Sequence, residues 1–312
     1  MSEWNPSPVP ETAAPDPGTP QPPQNGFASI FAGPHGIRAG WRFAIYLVMA
    51  VLVAVALFFI LQSWHPTGAA KIWEFPTAEL ISFVAAAVPA VIMARIEKRP
   101  FGDYGLPIRA AFGKLFWVGA IWGLAAITLL MGILRGMHGF YFGHVVLHGP
   151  RLVKFALFWA LVFLIVGLFE EFLFRGYSLF TLTTGMGFWP SAVLLSLMFG
   201  FAHKGNAGES WFGEVAAGLI GLFFCLTLRR TGNLWFAVGF HFSFDWGETF
   251  LYSVPNSGTV MPGHLLNSSF QGPQWLTGGT VGPEGSVFVF LMIAIVWAAF
   301  DRVYREVKYE PR

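Results

Sequence analysis

Phe155-Ala-Leu-Phe-Trp-Ala-Leu-Val-Phe-Leu-Ile-Val-Gly-Leu-Phe169 is fifteen residues without a polar side chain, and it runs straight into Glu170-Glu171-Phe172-Leu173-Phe174-Arg175. Extended to Ser178, the run reaches the roughly 20 residues that a helix needs to cross the hydrocarbon core of a bilayer. A surface helix of a soluble protein would show polar residues at a period of 3.6, and this run shows none. Seven further apolar runs flank it: Phe43–Gln62, Thr77–Met93, Leu115–Leu134, Phe188–Lys204, Gly213–Leu228, Leu234–Tyr252 and Ser286–Phe300. The pattern predicts an all-α fold: a polytopic membrane helix bundle of about eight transmembrane helices.

Composition agrees. Of 312 residues, 55% are hydrophobic and only 12% charged, about half the charged share of a soluble domain. That excludes a soluble enzyme with an ordinary charged surface, a disordered chain and a nucleic-acid binder. The net charge of +2 is too small to draw a charged partner. The single cysteine, Cys225, excludes an internal disulfide framework and a Cys-rich zinc site.

The first 26 residues differ. Eight prolines between Pro6 and Pro23 are interspersed with Ser, Thr, Asn and Gln. Such a stretch cannot bury a core and is expected to be disordered. It lacks the basic-then-apolar order of a signal peptide. Residues 27–312 are then expected to form a single transmembrane domain. With the N-terminus placed in the cytoplasm, five of the 19 Lys and Arg fall in outer loops: Lys71, Arg135, Arg151, Lys154 and Lys204. The others lie at or between the inner span ends, which predicts both chain ends cytoplasmic and an even number of spans.

Ionisable groups are costly in hydrocarbon and tend to mark function. Within the predicted spans they are Glu79, Glu170, Glu171, His203, His241, Asp245 and Glu248. Glu79 and Glu248 lie near span ends and read as side chains reaching for the headgroups. Glu171 and Arg175 are four apart, acid before base, and so share a helix face as a pair. Glu170 sits about 100° further round the helix and is left free. A free carboxylate in a dry site suits a general base or acid near neutral pH. His241 and Asp245 are also four apart, so the carboxylate can hold one ring nitrogen while the other faces a cavity. His203 follows the apolar Phe199-Gly-Phe-Ala on another span. These acids and histidines on three apolar helices have no inexpensive burial except with each other. Together they supply a base for water, donors for an oxyanion and candidate metal ligands.

Three motifs stand out: Glu170-Glu171-x-x-x-Arg175, Phe199-x-x-x-His203 and His241-x-x-x-Asp245. In order and in placement on separate spans they resemble the signature of the CPBP family. These are the CAAX-protease and bacteriocin-processing membrane proteins, also called the Abi family. The resembling core, residues 155–252, covers about a third of the chain. Arg38-Ala-Gly-Trp-Arg42 also resembles a segment found before the first span of bacterial members. The resemblance implies an intramembrane endopeptidase related to the CAAX prenyl endopeptidase, which removes three C-terminal residues after a prenylated cysteine. By the same resemblance Glu170 would activate water, His203 would hold or polarise it, and His241 with Asp245 would stabilise the oxyanion. Glu171 and Arg175 would hold the site together.

Two mechanisms stay open at this point. One needs no cofactor and uses Glu170 as base. The other binds a divalent metal such as zinc through Glu170, His203 and His241. The chain lacks His-Glu-x-x-His, the stronger zinc signal. Two other classes also fit intramembrane acids: a proton-coupled transporter, and a non-catalytic bacteriocin-immunity or scaffold protein of the same family. The expected partners are membrane lipids and a peptide or protein substrate, lipid-anchored or not, with no nucleic acid.

A geometric demand follows from the predicted spans. Glu170 would lie about 8 Å to the inner side of its span centre and His203 a similar distance to the outer side of its own. They can meet only if a span shifts, tilts or breaks. Pro190, Gly185, Gly187 and Gly200 are the expected places for that. The glycine-rich loop 253–285 reads as either an outer cover or a plain connection.

Overall fold

A computed structural model describes residues 26, 28–33, 36–64 and 71–309. Apart from Gly26, the tail expected to be disordered lies outside the described residues. The chain divides into two compact units, Met1–Arg38 and Ala39–Arg312. The first holds one helical turn, α1 (Ala28–Phe31), and a minimal hairpin of β1 (Ala32–Gly33) with β2 (Gly36–Ile37). Within it, Arg38 Nε donates to the Ser29 carbonyl at 2.8 Å.

The second unit is helical. It begins with α2 (Ala39–Trp64), α3 (Glu74–Ile96) and α4 (Lys114–Gly136). The motif core follows as α5 (Gly149–Arg175), α6 (Tyr177–Met186), α7 (Phe188–Ala202), α8 (Trp211–Thr231) and α9 (Trp235–Trp246). A one-turn α10 (Gln274–Thr277) and α11 (Phe288–Val303) complete it. Between α4 and α5, β3 (Phe140–Tyr141) pairs antiparallel with β4 (Ser269–Phe270) of the late loop, Phe140 opposite Phe270.

Each of the eight apolar runs holds a helix. Five segments among the described residues are long and apolar enough to cross a bilayer: Ala39–Gln62, Glu74–Ile96, Lys114–Gly136, Gly149–Met186 and Trp211–Thr231. The other three runs form shorter helices, with 15 residues in α7, 12 in α9 and 16 in α11. Helix α9 continues for five more residues as a π-helical turn, Gly247–Leu251. On α2, Val51, Leu52 and Phe59 are exposed, as side chains facing lipid tails are.

The decisive span differs from its predicted bounds. Helix α5 starts at Gly149, where Pro150 pre-sets the first turn. It stops at Arg175 because Gly176 has ψ −122° and breaks the helix. A Cβ at Gly176 would lie 2.3 Å from the Phe172 carbonyl oxygen, so only glycine fits the corner. Ser178 therefore belongs to α6, a separate helix that the apolar pattern does not announce. Gly187, with φ +82°, separates α6 from α7. Two breaks thus lie between Glu170 and His203.

Glycines also set the helix spacing. Gly119 and Gly123 lie one turn apart on α4, and Gly239 lies on α9. A Cβ on any of the three would come 2.1 Å from a backbone carbonyl oxygen of the other helix: Phe236, Phe240 and Phe116 respectively. The two backbones are in contact, as in small-residue packing of membrane helices. Gly200 of α7 faces Glu214 of α8, where a Cβ would lie 2.4 Å from the carbonyl oxygen. At the α5–α6 corner, Tyr104 and Tyr177 hydroxyls donate to Glu97 at 2.8 and 2.5 Å. Arg42 pairs with Glu97 at 3.2 Å and donates to Thr184 Oγ1 at 2.6 Å. The acid thereby joins α2, α6 and the end of α3.

These contacts predict opposite effects of one substitution at two places on α4. Gly123→Ala forces α4 and α9 apart and destabilises the protein by about 2 kcal/mol or more. Gly132→Ala, which meets no atom within 4 Å, is neutral or stabilises by up to about 1 kcal/mol. Thermal unfolding in one detergent checks both; equal effects would contradict the contact.

Candidate active site

Glu171 is the centre of the arrangement. It lies on α5, fully buried, and its Oε1 accepts two hydrogen bonds. One comes from Arg175 Nη1, a turn further along α5, at 3.3 Å, and the other from His241 Nδ1 of α9 at 3.0 Å. The contact with α9 is possible because Gly167, a turn before Glu171, brings α5 close. A Cβ there would sit 3.3 Å from the Val238 carbonyl oxygen and 3.5 Å from His241 Cβ.

Arg175 is fully buried too, with one carboxylate partner. Aromatic faces supply the rest: its guanidinium lies 4.2 Å from the Phe199 ring centroid and 5.8 Å from that of Phe224. Gly221 makes room for it, since a Cβ there would meet Nη2 at 2.3 Å. The far partner of Phe199 is His203, with ring centroids 4.6 Å apart. This accounts for the phenylalanine four residues before the histidine: it spaces His203 from the buried guanidinium. His203 Nδ1 donates to the Phe199 carbonyl at 2.8 Å, which leaves its Nε2 outside that bond.

His241 is held differently from the expectation. Asp245 does not take one nitrogen and leave the other free. Glu171 takes Nδ1, and Nε2 lies between Asp245 Oδ2 at 3.5 Å and Glu170 Oε2 at 3.6 Å. The close α5–α9 approach explains the change, because it lets Glu171 reach a ring from the neighbouring helix. The Phe224 ring stacks on His241 at 5.8 Å. Glu170, by contrast with its neighbour, keeps 22% of its side chain exposed.

Glu170, His203, His241 and Asp245 line one cavity of about 410 Å³, whose wall is mostly aromatic and aliphatic with a few further polar side chains. Glu171 and Arg175 stand behind that wall. The cavity also takes Glu79 from α3, which the sequence read as a headgroup-reaching side chain. Asn206 and Glu209 come from the α7–α8 loop, and Asn256, Ser257 and Glu284 from the late loop. Burial raises the Glu209 carboxyl above its ordinary range, against the pull of the Ser210 N–H bonded to it at 2.9 Å. Glu284 Oε1 accepts from the Ser257 N–H and hydroxyl at 2.5 and 3.0 Å. Trp159 Nε1 donates to the Pro262 carbonyl at 3.1 Å. The loop is therefore folded onto the cavity and is more than a connection. Glu248 is fully buried rather than at the headgroups. Its span position carried no signal for that.

The zinc set does not assemble. Among the described residues no three His, Cys, Asp or Glu side chains converge as metal ligands. Glu170, His203 and His241 line the same cavity, with Nδ1 of the two histidines bonded to the Phe199 carbonyl and to Glu171. Such bonds would themselves suit a metal-binding histidine; it is the lack of convergence that does not fit a tetrahedral site.

Removing Arg175 tests the buried pair. Arg175→Met leaves Glu171 charged without its cation and destabilises by roughly 3–5 kcal/mol. Adding Glu171→Gln to that variant recovers a large part of the loss. Chemical denaturation of the three proteins measures it, and additive losses would contradict the pairing.

No curated protein matches the chain. Residues 151–247, which contain all three motifs, match the family model described as Rce1-like, type II CAAX prenyl endopeptidase. The match covers less than half of the chain, and it falls on the residues whose motifs resemble that family.

Proposed function

We propose that this protein is an intramembrane endopeptidase of CAAX-protease type, a hydrolase cutting a peptide bond of a membrane-associated protein or peptide. The observation that carries the reading is one cavity lined by a partly exposed carboxylate, Glu170, together with His203, His241 and Asp245. The Rce1-like match over the same residues supports it.

In this reading Glu170 takes a proton from a water molecule as the water oxygen bonds to the scissile carbonyl carbon. His203, its Nδ1 occupied, orients that water through Nε2. His241, its ring fixed by Glu171, donates from Nε2 to the developing oxyanion. Asp245 Oδ2 lies 3.5 Å from that nitrogen and pairs with the ring when both its nitrogens carry protons. When the carbon–nitrogen bond breaks, Glu170 returns its proton to the leaving amine. Glu171 and Arg175 position the set without touching substrate. We propose a chain that crosses the bilayer eight times with both ends cytoplasmic, as the distribution of Lys and Arg supports. The substrate presents a flexible segment, because a helix must unwind before its bonded carbonyls can be attacked.

Reconstituted protein and a library of membrane-tethered peptides, read by mass spectrometry, provide the test. Glu170→Gln is expected to cut cleavage by about 10³-fold or more with its unfolding transition unchanged. Cleavage that persists in Glu170→Gln at the original rate would overturn the assignment.

A further inference from the structure

A strained turn of the late loop borders the cavity. Asn256 and Thr259 exchange both backbone hydrogen bonds, the Asn256 N–H to the Thr259 carbonyl at 3.0 Å and the Thr259 N–H to that of Asn256 at 2.9 Å. Ser257 and Gly258 are then the two residues of a hairpin turn. Both have positive φ, +47° and +80°, as a type I′ turn requires. Serine seldom adopts that conformation. Glu284 holds it there by accepting both the N–H and the hydroxyl of Ser257. The Gly258 N–H donates to the Val281 carbonyl at 2.8 Å, and a Cβ at Gly258 would lie 2.4 Å from the Ala207 carbonyl oxygen of the α7–α8 loop. A turn clamped from two sides fixes the residue that opens it, Asn256.

Asn256 lines the cavity together with Glu170, His203, His241 and Asp245, and lies outside the matched residues 151–247. Its side-chain amide is a neighbour of the Asp245 carboxylate. Nδ2 carries two N–H groups, is buried, and has no acceptor in full hydrogen-bond geometry among the described residues. A buried donor left open is costly, and an acceptor that forms only during the reaction would explain it. The proposed reaction needs such a donor. His241 Nε2 lies between Glu170 at 3.6 Å and Asp245 at 3.5 Å, and both carboxylates compete with an oxyanion for its proton. Asp245, as a carboxylate, can only accept. Ser257 gives its donors to Glu284.

We propose that Asn256 is a further catalytic residue, whose side-chain amide donates a hydrogen bond to the oxyanion beside His241. The inference rests on the hydrolase reading of this cavity and adds a second donor to it. As the water oxygen bonds to the scissile carbon, the carbonyl π pair moves onto its oxygen, and an Asn256 N–H donates to that oxygen. Asn256 gives up no proton, and its bond weakens when the carbonyl re-forms and the amine leaves. The strain of the turn then has a use, because Glu284 and Ser257 hold the donor in place before the substrate arrives.

The test uses the full-length protein in liposomes and a membrane-tethered peptide that the unaltered protein cleaves. Asn256→Leu keeps much of the side chain's shape and has no donor. Its kcat is expected to fall by about 10²-fold or more, with KM within about threefold. It is expected to unfold at no lower a temperature than the unaltered protein, because the open buried donor is gone. Asn256→Ala is expected to repeat the loss in kcat. A phosphinic version of the same peptide, whose tetrahedral phosphinate stands in for the oxyanion, is expected to bind Asn256→Leu more weakly by about the factor lost in kcat/KM. Unchanged kcat in Asn256→Leu would overturn the proposal. So would a loss of activity that comes with a lowered unfolding temperature and an unchanged phosphinate affinity, the pattern of a merely structural asparagine. Cleavage that is lost in Glu170→Gln and intact in Asn256→Leu removes Asn256 alone. If the unaltered protein cleaves no peptide of the library, the hydrolase reading fails and the catalytic role of Asn256 with it.

Discussion

One carboxylate oxygen organises the core of this protein. Glu171 Oε1 accepts from Arg175 within its own helix and from His241 across the α5–α9 interface, with no exposure to solvent. In such a place an unpaired charge would cost several kcal/mol, so each partner is conditional on the others. Arg175 in turn lies on Phe199, and Phe199 on His203. The chain of contacts runs from α9 through α5 to the end of α7. It fixes the orientation of two histidines with one buried ion pair.

Close helix approach makes that chain possible, and here the sequence was only partly legible. Eight apolar runs do become helices, since about 20 apolar residues in a row have few other ways to fold. The breaks at Gly176 and Gly187 are less visible, because a glycine within an apolar run is common in membrane helices and does not announce a corner. Gly187 was among the expected places for a break, and Gly176 was not. The pair Gly119 and Gly123 carries a recognisable small-residue spacing, yet only the partner helix gives it meaning. That partner is α9, the helix that carries His241 and Asp245.

At the candidate site, the three motifs were legible because buried charge has few innocent explanations in hydrocarbon. Spacing four apart correctly joined Glu171 to Arg175. It could not foresee that Glu171 would also take His241, because a contact between helices leaves no periodic trace in either one. Residues from loops, such as Asn256, Ser257 and Glu284, were invisible for the same reason. Glu79 had a plain alternative at a span end, and only the cavity brings it into the set.

The central claim is that Glu170 activates a water molecule rather than attacking the peptide bond itself. A single turnover in ¹⁸O-enriched water, with enzyme in excess over a cleaved peptide, tests this most directly. Direct attack of water predicts one ¹⁸O in the new carboxylate of the product and none in the enzyme. An unlabelled product carboxylate, with the heavy oxygen found in Glu170, would mean an acyl intermediate on that carboxylate and would contradict the account.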